Sequence, residues 1–229
     1  MKYHHLLFDA DNTLFDFDRS EQHALRGSIE AKGIPFQAHH LHTYHQINKA
    51  CWTAFEEGRM TQDELRKERF VQFLEAIELK ADGEAFGRDY LYRLANTDFL
   101  IPGAKALLDR LRGQFRLVMI TNGLKEVQRP RLRHTQLGPY FDLIVVSDEI
   151  GVSKPHKGFF DYTFQHLGYP EKEQTLVIGD SLSSDIKGGY QYGLNTCWFN
   201  PQGKDNASGI QPTYEVNSMS ELQTFLSPQ

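Results

Sequence analysis

The residues best placed to do chemistry are Asp9 and Asp11, spaced i, i+2 at the end of the apolar run Leu6-Leu7-Phe8 and followed by Thr13. Read as a strand, the run sends both acids to one side while the strand lasts, and the turn beyond lets them take different jobs. Two anions this close repel, and one holds its proton more tightly unless a cation lies between them. A hard divalent cation such as Mg²⁺ resolves the conflict, because it takes oxygen ligands and few protein carboxylates. The pattern points to a Mg²⁺-dependent phosphoryl-transfer site built around Asp9. The plainer alternative is a strand followed by an Asx turn.

Other apolar runs end in the same manner. Phe115-Arg116-Leu117-Val118-Met119-Ile120 ends in Thr121-Asn122-Gly123. The run from Phe141 to Val146 leads on to Ser153-Lys154-Pro155, and Gln174 to Gly179 ends at Asp180, with Asp185 shortly after. If these strands are parallel, their polar ends share one rim, and ligands of open α/β sheets bind at that rim. Several acids, a hydroxyl and a lysine are the parts of metal-assisted phosphoryl transfer.

The elements that must position them follow from periodicity. A strand is expected over residues 3–9, and then helical patterning takes over. Helices are expected from Arg19 to Ala31, from His39 to Glu57, from Thr61 to about Ile77 with a Thr61/Glu64 capping box, and from Asp82 to Leu94. No strand separates them, so an inserted helical bundle, a lid over the sheet, is expected rather than continued βαβ winding. Beyond Pro102, helix and strand alternate. Helices are expected over Gly103–Arg112, Glu126–Gln136 with a kink at Pro130, His156–His166, Ser183–Tyr192 and Met219–Leu226. Further strands are expected over Asn195–Phe199 and Tyr214–Val216. Several strands are apolar throughout, as in a parallel sheet covered on both faces. The fold class is therefore α/β, a Rossmann-like parallel-sheet core made of 1–15 and 98–229 with an inserted helical cap domain at 16–97.

Bulk properties set limits. The chain has 229 residues, 40% hydrophobic and 24% charged, with a formal net charge of −5. A mildly acidic chain has no global electrostatic reason to bind nucleic acid or an anionic membrane, so it must attract a phosphate locally. Cys51 and Cys197 lie far apart and form no metal or redox spacing, which suits a reducing cytoplasm. No apolar stretch of signal-peptide or membrane-spanning length is seen. A small-molecule partner and a monomer or weak dimer are expected.

In their order, Asp9-x-Asp11-x-Thr13, Thr121 after a strand, Lys154 before Pro155 and Gly179-Asp180 with Asp185 resemble the four motifs of the haloacid dehalogenase-like superfamily of hydrolases. The helical insert resembles that superfamily's cap, so the likeness covers essentially the whole chain. Phe8-Asp9-Ala10-Asp11-Asn12-Thr13-Leu14-Phe15-Asp16-Phe17-Asp18, Ile120-Thr121-Asn122-Gly123 and Val152-Ser153-Lys154-Pro155 are similar to its bacterial pyrimidine 5′-nucleotidases, as are Ile47-Asn48-Lys49-Ala50-Cys51-Trp52 and Thr196-Cys197-Trp198. The resemblance implies that Asp9 is a nucleophile forming an aspartyl-phosphate and that Asp11 is the general acid and then the general base. It implies that Mg²⁺ is held by Asp9, Asp180 and the Asp11 carbonyl, with Asp185 in the outer shell. It also implies that Thr121, Lys154 and backbone N–H groups near Ala10, Asp11 and Asn122 bind the phosphoryl group, and that Thr13 braces the turn. A haloalkanoate dehalogenase has no alkoxide to protonate, so Asp11 favours a phosphatase. A sugar-phosphate phosphatase or mutase shares these core residues, and a non-catalytic binding or regulatory module is the alternative of a different class.

Within the insert, Asn48 and Trp52 lie i, i+4 on one helix and are candidates for substrate contact, with Trp52 stacking on a base or else packing the cap's own core. Lys49 is a candidate Schiff-base lysine by type, if desolvated. Arg69 is expected to be a solvated helix arginine rather than a contact to a substrate oxygen, and His39, His40, His42 and His45 an exposed helix face rather than a metal site. Cys197 is expected to be a small buried hydrophobe.

Overall fold

The computed structural model describes residues 2–227. These divide into two compact units, 2–17 with 98–227, and 18–97. The first strand, β1 (His5–Phe8), is followed by helices α1 (Phe17–Glu30), α2 (Ala38–Glu56), α3 (Gln62–Ala76) and α4 (Gly83–Ala95). Next come α5 (Ala104–Leu111), β2 (Arg116–Thr121), α6 (Lys125–His134), β3 (Leu143–Val146), the single turn α7 (Ser147–Ile150) and α8 (Lys157–Leu167). The chain continues through β4 (Thr175–Gly179), α9 (Lys187–Tyr192), β5 (Asn195–Phe199), β6 (Tyr214–Val216) and α10 (Met219–Leu226).

The strands form one parallel six-stranded sheet in the order β3-β2-β1-β4-β5-β6. Alternation sorts its side chains between two covered faces. Leu6, Phe8, Leu117, Met119, Leu176, Ile178, Cys197 and Phe199 pack with Leu107 and Leu108 of α5 and Leu222 of α10. Leu7, Val118, Ile120, Val145 and Val177 pack with Phe159, Phe160 and Phe164 of α8. β1 lies between β2 and β4, where the strand order reverses, so its carboxyl end opens at the sheet's topological switch point.

Two local differences from the sequence expectations have identifiable causes. The expected strand over 141–146 is shortened because Gly138–Tyr140 form a 3-10 turn and the Asp142 carboxylate accepts the Leu117 amide at 3.0 Å. The expected helix from Ser183 is a wide turn over Leu182–Ile186 before α9, in which the Asp185 and Ile186 amides both bond the Ser181 carbonyl. As expected, α6 contains Pro130, whose ring nitrogen has no hydrogen to give the Glu126 carbonyl.

In the helical unit, Thr61 and Glu64 form the expected capping box, with Glu64 N–H donating to Thr61 Oγ1 at 3.2 Å and Thr61 N–H to Glu64 Oε2 at 2.7 Å. The unit's aromatic core stacks Tyr44 on Phe70, with Phe73, Phe86 and Tyr90 around them. Among the described residues, no helix is long and apolar enough to cross a membrane.

Candidate active site

The Asp9 amide bonds the Ile178 carbonyl at 2.8 Å, continuing the β1–β4 pairing by one residue and setting Asp9 beside the Gly179-Asp180 corner. The indole Nε1 of buried Trp198 donates to the Asp180 carbonyl at 2.8 Å, fixing that corner from β5. Among the described residues, Asp9, Asp180 and Asp185 form a group of acids whose offered oxygens lie within 4.8 Å of one another.

Lys154 enters from the loop between α7 and α8. Its Nζ donates to Asp9 Oδ1 at 2.7 Å, Asp185 Oδ1 at 2.6 Å and the Ile120 carbonyl at 2.8 Å, which uses all the donors of an ammonium. Asn122 holds this loop through a reciprocal pair: its Oδ1 accepts the Lys154 amide at 2.9 Å and its Nδ2 donates to the Lys154 carbonyl at 2.8 Å. Thr121 Oγ1 accepts the Gly123 amide at 3.0 Å. Asp185 Oδ2 accepts the Ser181 amide at 3.1 Å, and Ser181 Oγ in turn accepts the Ser184 amide. The carboxylate lies so close over the strand end that a Cβ on residue 179 would fall 2.3 Å from Asp185 Oδ2, which explains Gly179.

The electrostatics are those of crowded acids, with Asp9 and Asp185 buried and Asp180 half-buried. Burial, then the Asp185 charge, raise Asp9 well above the usual carboxylate range, against the pull of Lys154. Burial and Asp185 likewise push Asp180 up to about 7. Burial works against the Lys154 charge, but Asp185 and Asp9 outweigh it and hold the amine charged above its ordinary range. Acids so crowded that they hold protons are the donor set a hard divalent cation relieves, and their oxygen chemistry fits Mg²⁺.

Asp11 finds its hydrogen-bond partners outside this cluster. Its Oδ1 pairs with Arg131 Nη1 at 2.6 Å and its Oδ2 accepts Gln128 Nε2 at 2.6 Å, both from α6. These two residues were missed by the sequence reading. A signal existed: 128 and 131 share the helix face of Val127 and Leu132, where a glutamine and an arginine need partners. Thr13 does not brace the turn as expected, since its buried Oγ1 has no hydrogen-bond partner among the described residues. The turn is held instead by backbone bonds to the Ala10 carbonyl from Leu14 and Phe15, and by Asn12 Oδ1 accepting the Phe17 amide. Asn12 itself is left-handed, φ 59°, a conformation its short polar side chain tolerates.

Asn48 and Trp52 belong to the helical unit. Asn48 is buried; its Nδ2 donates to Glu21 Oε1 at 3.0 Å and its Oδ1 accepts from Arg69 Nη1 at 3.0 Å. Trp52 is half-buried and edge-on to Phe55. Arg69 corrects an expectation: it is buried, not solvated, with its guanidinium 4.7 Å from the Phe70 ring centroid. The physical reason is its place in the Leu65-Arg69-Phe73 row, i±4 on the buried face of α3. His40 also departs from an exposed face, being buried and accepting the Gln37 amide at the start of α2, while His45 pairs with Glu21 at 2.6 Å. Lys49 is exposed and lacks the desolvation a Schiff-base lysine needs. Cys51 and Cys197 are free and buried.

The acids and the buried lysine lie at the switch point of a Rossmann-like parallel sheet whose first two strands are separated in the chain by a helical unit. Residues 3–193 match the family model for haloacid dehalogenase-like hydrolases. The chain belongs to this family of enzymes. It is 42% identical over 226 residues to the HAD-hydrolase YfnB of Bacillus subtilis (strain 168), covering 99% of this chain and 96% of that protein. The crystal structure of YfnB bound to magnesium matches with a TM-score of 0.93 over 100% of both chains. The pyrimidine 5′-nucleotidase YjjG of Escherichia coli (strain K12) is 37% identical over 228 residues, 99% of each chain. The pyrimidine 5′-nucleotidase PynA of Streptococcus pneumoniae (strain ATCC BAA-255 / R6) is 36% identical over 223 residues, 97% of this chain and 94% of the relative.

Proposed function

We propose that the chain is a Mg²⁺-dependent phosphate monoester hydrolase, acting on nucleoside 5′-monophosphates with a preference for pyrimidine bases. The observation that carries the chemistry is the contact of buried Lys154 with Asp9 Oδ1 beside Asp180 and Asp185. The contact sets a cation against Asp9, which supports a nucleophile's role for that carboxylate and a phosphoryl group bound at this rim. The base preference rests on the likeness to YjjG and PynA.

In this reading Asp9 attacks phosphorus, the P–O bond to the nucleoside breaks, and an aspartyl-phosphate forms. Asp11 gives a proton to the departing 5′ oxygen and takes one from the water that attacks the phosphorus of the aspartyl-phosphate, regenerating Asp9 and releasing phosphate. Lys154 neutralises charge on Asp9 and on the transferred group, Thr121 and nearby backbone N–H groups hold phosphoryl oxygens, and Asn122 fixes the Lys154 loop. Asp9, Asp180 and the Asp11 carbonyl would hold Mg²⁺, with Asp185 orienting Lys154. The bound ion supplies charge stabilisation to the phosphoryl oxygens. The presence of Asp11 separates this from dehalogenation, which has no leaving alkoxide to protonate.

The test is phosphate release from a panel of nucleoside monophosphates and sugar phosphates, with Mg²⁺ and with EDTA, beside Asp9→Asn. Mg²⁺-dependent release from pyrimidine monophosphates, lost in Asp9→Asn, is the expected result. Release from sugar phosphates alone would keep the chemistry and overturn the nucleotide assignment.

A further inference from the structure

We infer that Gln128 and Arg131 are positioning residues for Asp11, a two-point grip from one face of α6 that sets the carboxyl group which exchanges protons with the leaving oxygen and with water. The inference rests on the proposed phosphatase reading and concerns how this chain orients its acid–base group.

Asp9 and Asp11, only two positions apart, are sent to different cations. Asp9 goes to Lys154, and Asp11 goes to Arg131. Arg131 Nη1 meets one Asp11 oxygen and Gln128 Nε2 the other, each at 2.6 Å, so the plane of the carboxyl group is fixed as well as its position. The clamp is itself rigid. The Arg131 side chain has no solvent exposure, and its guanidinium lies 4.2 Å from the centroid of the Phe15 ring. Asp11, by contrast, keeps 26% of its side chain exposed, so the buried partners hold the fixed end and the accessible acid is the group held.

Gln128 is anchored by the same contact. Only the NH₂ end of an amide can donate to a carboxylate, and its buried Oε1 has no hydrogen-bond partner among the described residues. A buried amide left half-satisfied is costly, so a glutamine here is hard to explain by packing alone. The path of its side chain also constrains the backbone. A Cβ on residue 123 would lie 2.2 Å from Gln128 Nε2, so Gly123, in the turn after β2, leaves the room through which α6 reaches Asp11. The grip thus links the turn after β2, the buried face of α6 and the turn after β1.

The experiment uses the full chain with Mg²⁺ and compares two esters, a pyrimidine nucleoside 5′-monophosphate and p-nitrophenyl phosphate. The first must protonate an alkoxide as it leaves; nitrophenolate leaves without help. Because kcat/KM reports the steps through departure of the leaving group, the ratio of the two kcat/KM values isolates proton donation. Correct placement of a general acid is worth about 10²–10⁴-fold, so Arg131→Met should lower the nucleotide-to-aryl ratio at least about tenfold, through kcat rather than KM. Arg131→Lys should recover part of the ratio. Gln128→Met, which replaces a neutral amide and leaves Arg131 in place, should shift the ratio in the same direction and serves where Arg131→Met does not fold. A parallel loss on both esters, or no change, would overturn the positioning role. If the wild-type chain releases phosphate from neither ester, the phosphatase reading itself fails and takes this role with it.

Discussion

Lys154 Nζ lies 2.7 Å from Asp9 Oδ1, and both side chains are almost completely buried. An amine and a carboxylate removed from water in this way are costly to separate, because each then stands uncompensated in a low-dielectric site. The contact therefore bears on stability as well as chemistry. Lys154→Met should destabilise the metal-free protein by about 3–5 kcal/mol in urea titrations. Adding Asp185→Asn should return part of that loss, since it removes one of the two carboxylates left without the amine.

Metal binding should be visible without turnover. Mg²⁺ that binds the folded chain and not the unfolded one raises stability by about 2.7 kcal/mol at a hundred times its Kd. Thermal melts should shift upward with Mg²⁺ and return with EDTA in the wild type. Asp180→Asn, which removes one of the clustered acids, should abolish the shift.

Gly179→Ala tests the packing behind the cluster. The added methyl would meet Asp185 Oδ2 at 2.3 Å, too close to be absorbed without moving the carboxylate or the end of β4. Overpacking of this kind costs about 1–3 kcal/mol. The midpoint of chemical denaturation should fall accordingly, and the Mg²⁺-induced melting shift should shrink.

The helical unit should carry its own pH dependence. The hydrogen bond to Glu21 raises the His45 imidazole above its ordinary value, against burial, with the Glu21 and Asp18 charges adding to the rise. A raised group contributes its full stability below its unfolded value and loses it as pH climbs through the folded value. His40 is lowered by burial and gives the opposite slope, so the informative quantity is a difference. Between about pH 6 and about pH 8, wild type should lose stability relative to His45→Gln as pH rises. Equal slopes in urea titrations of the two proteins would rule out the His45–Glu21 pair as the source.

Much of the core was legible because its strands are apolar and end abruptly. Leu6-Leu7-Phe8 before Asp9, and Leu176-Val177-Ile178 before Gly179-Asp180, announce both a buried parallel strand and the rim where it stops. The Thr61/Glu64 box marked a helix start for the same reason: its two hydrogen bonds are local in sequence.

What escaped the sequence is non-local. Arg69, Gln128 and Arg131 occupy apolar faces of their helices, and their partners Asn48 and Asp11 lie far away in the chain. Charge type alone suggests solvent for such residues, and only the phase of the neighbouring Leu65 and Phe73, or Val127 and Leu132, argues otherwise. Thr13 departs in the other direction: the resemblance implies that it braces the turn, but its buried hydroxyl has no hydrogen-bond partner among the described residues and backbone bonds close the turn.

The central claim is that Asp9 carries the phosphoryl group. The most direct measurement is mass spectrometry of the chain quenched in acid within the first turnover on a pyrimidine nucleoside 5′-monophosphate with Mg²⁺, followed by peptide mapping. The account predicts one phosphoryl group on the peptide containing Asp9, absent in Asp9→Asn and absent with EDTA. Phosphate release from the wild type with the phosphoryl group on another residue, or in an Asp9→Asn variant that still turns over, would contradict it.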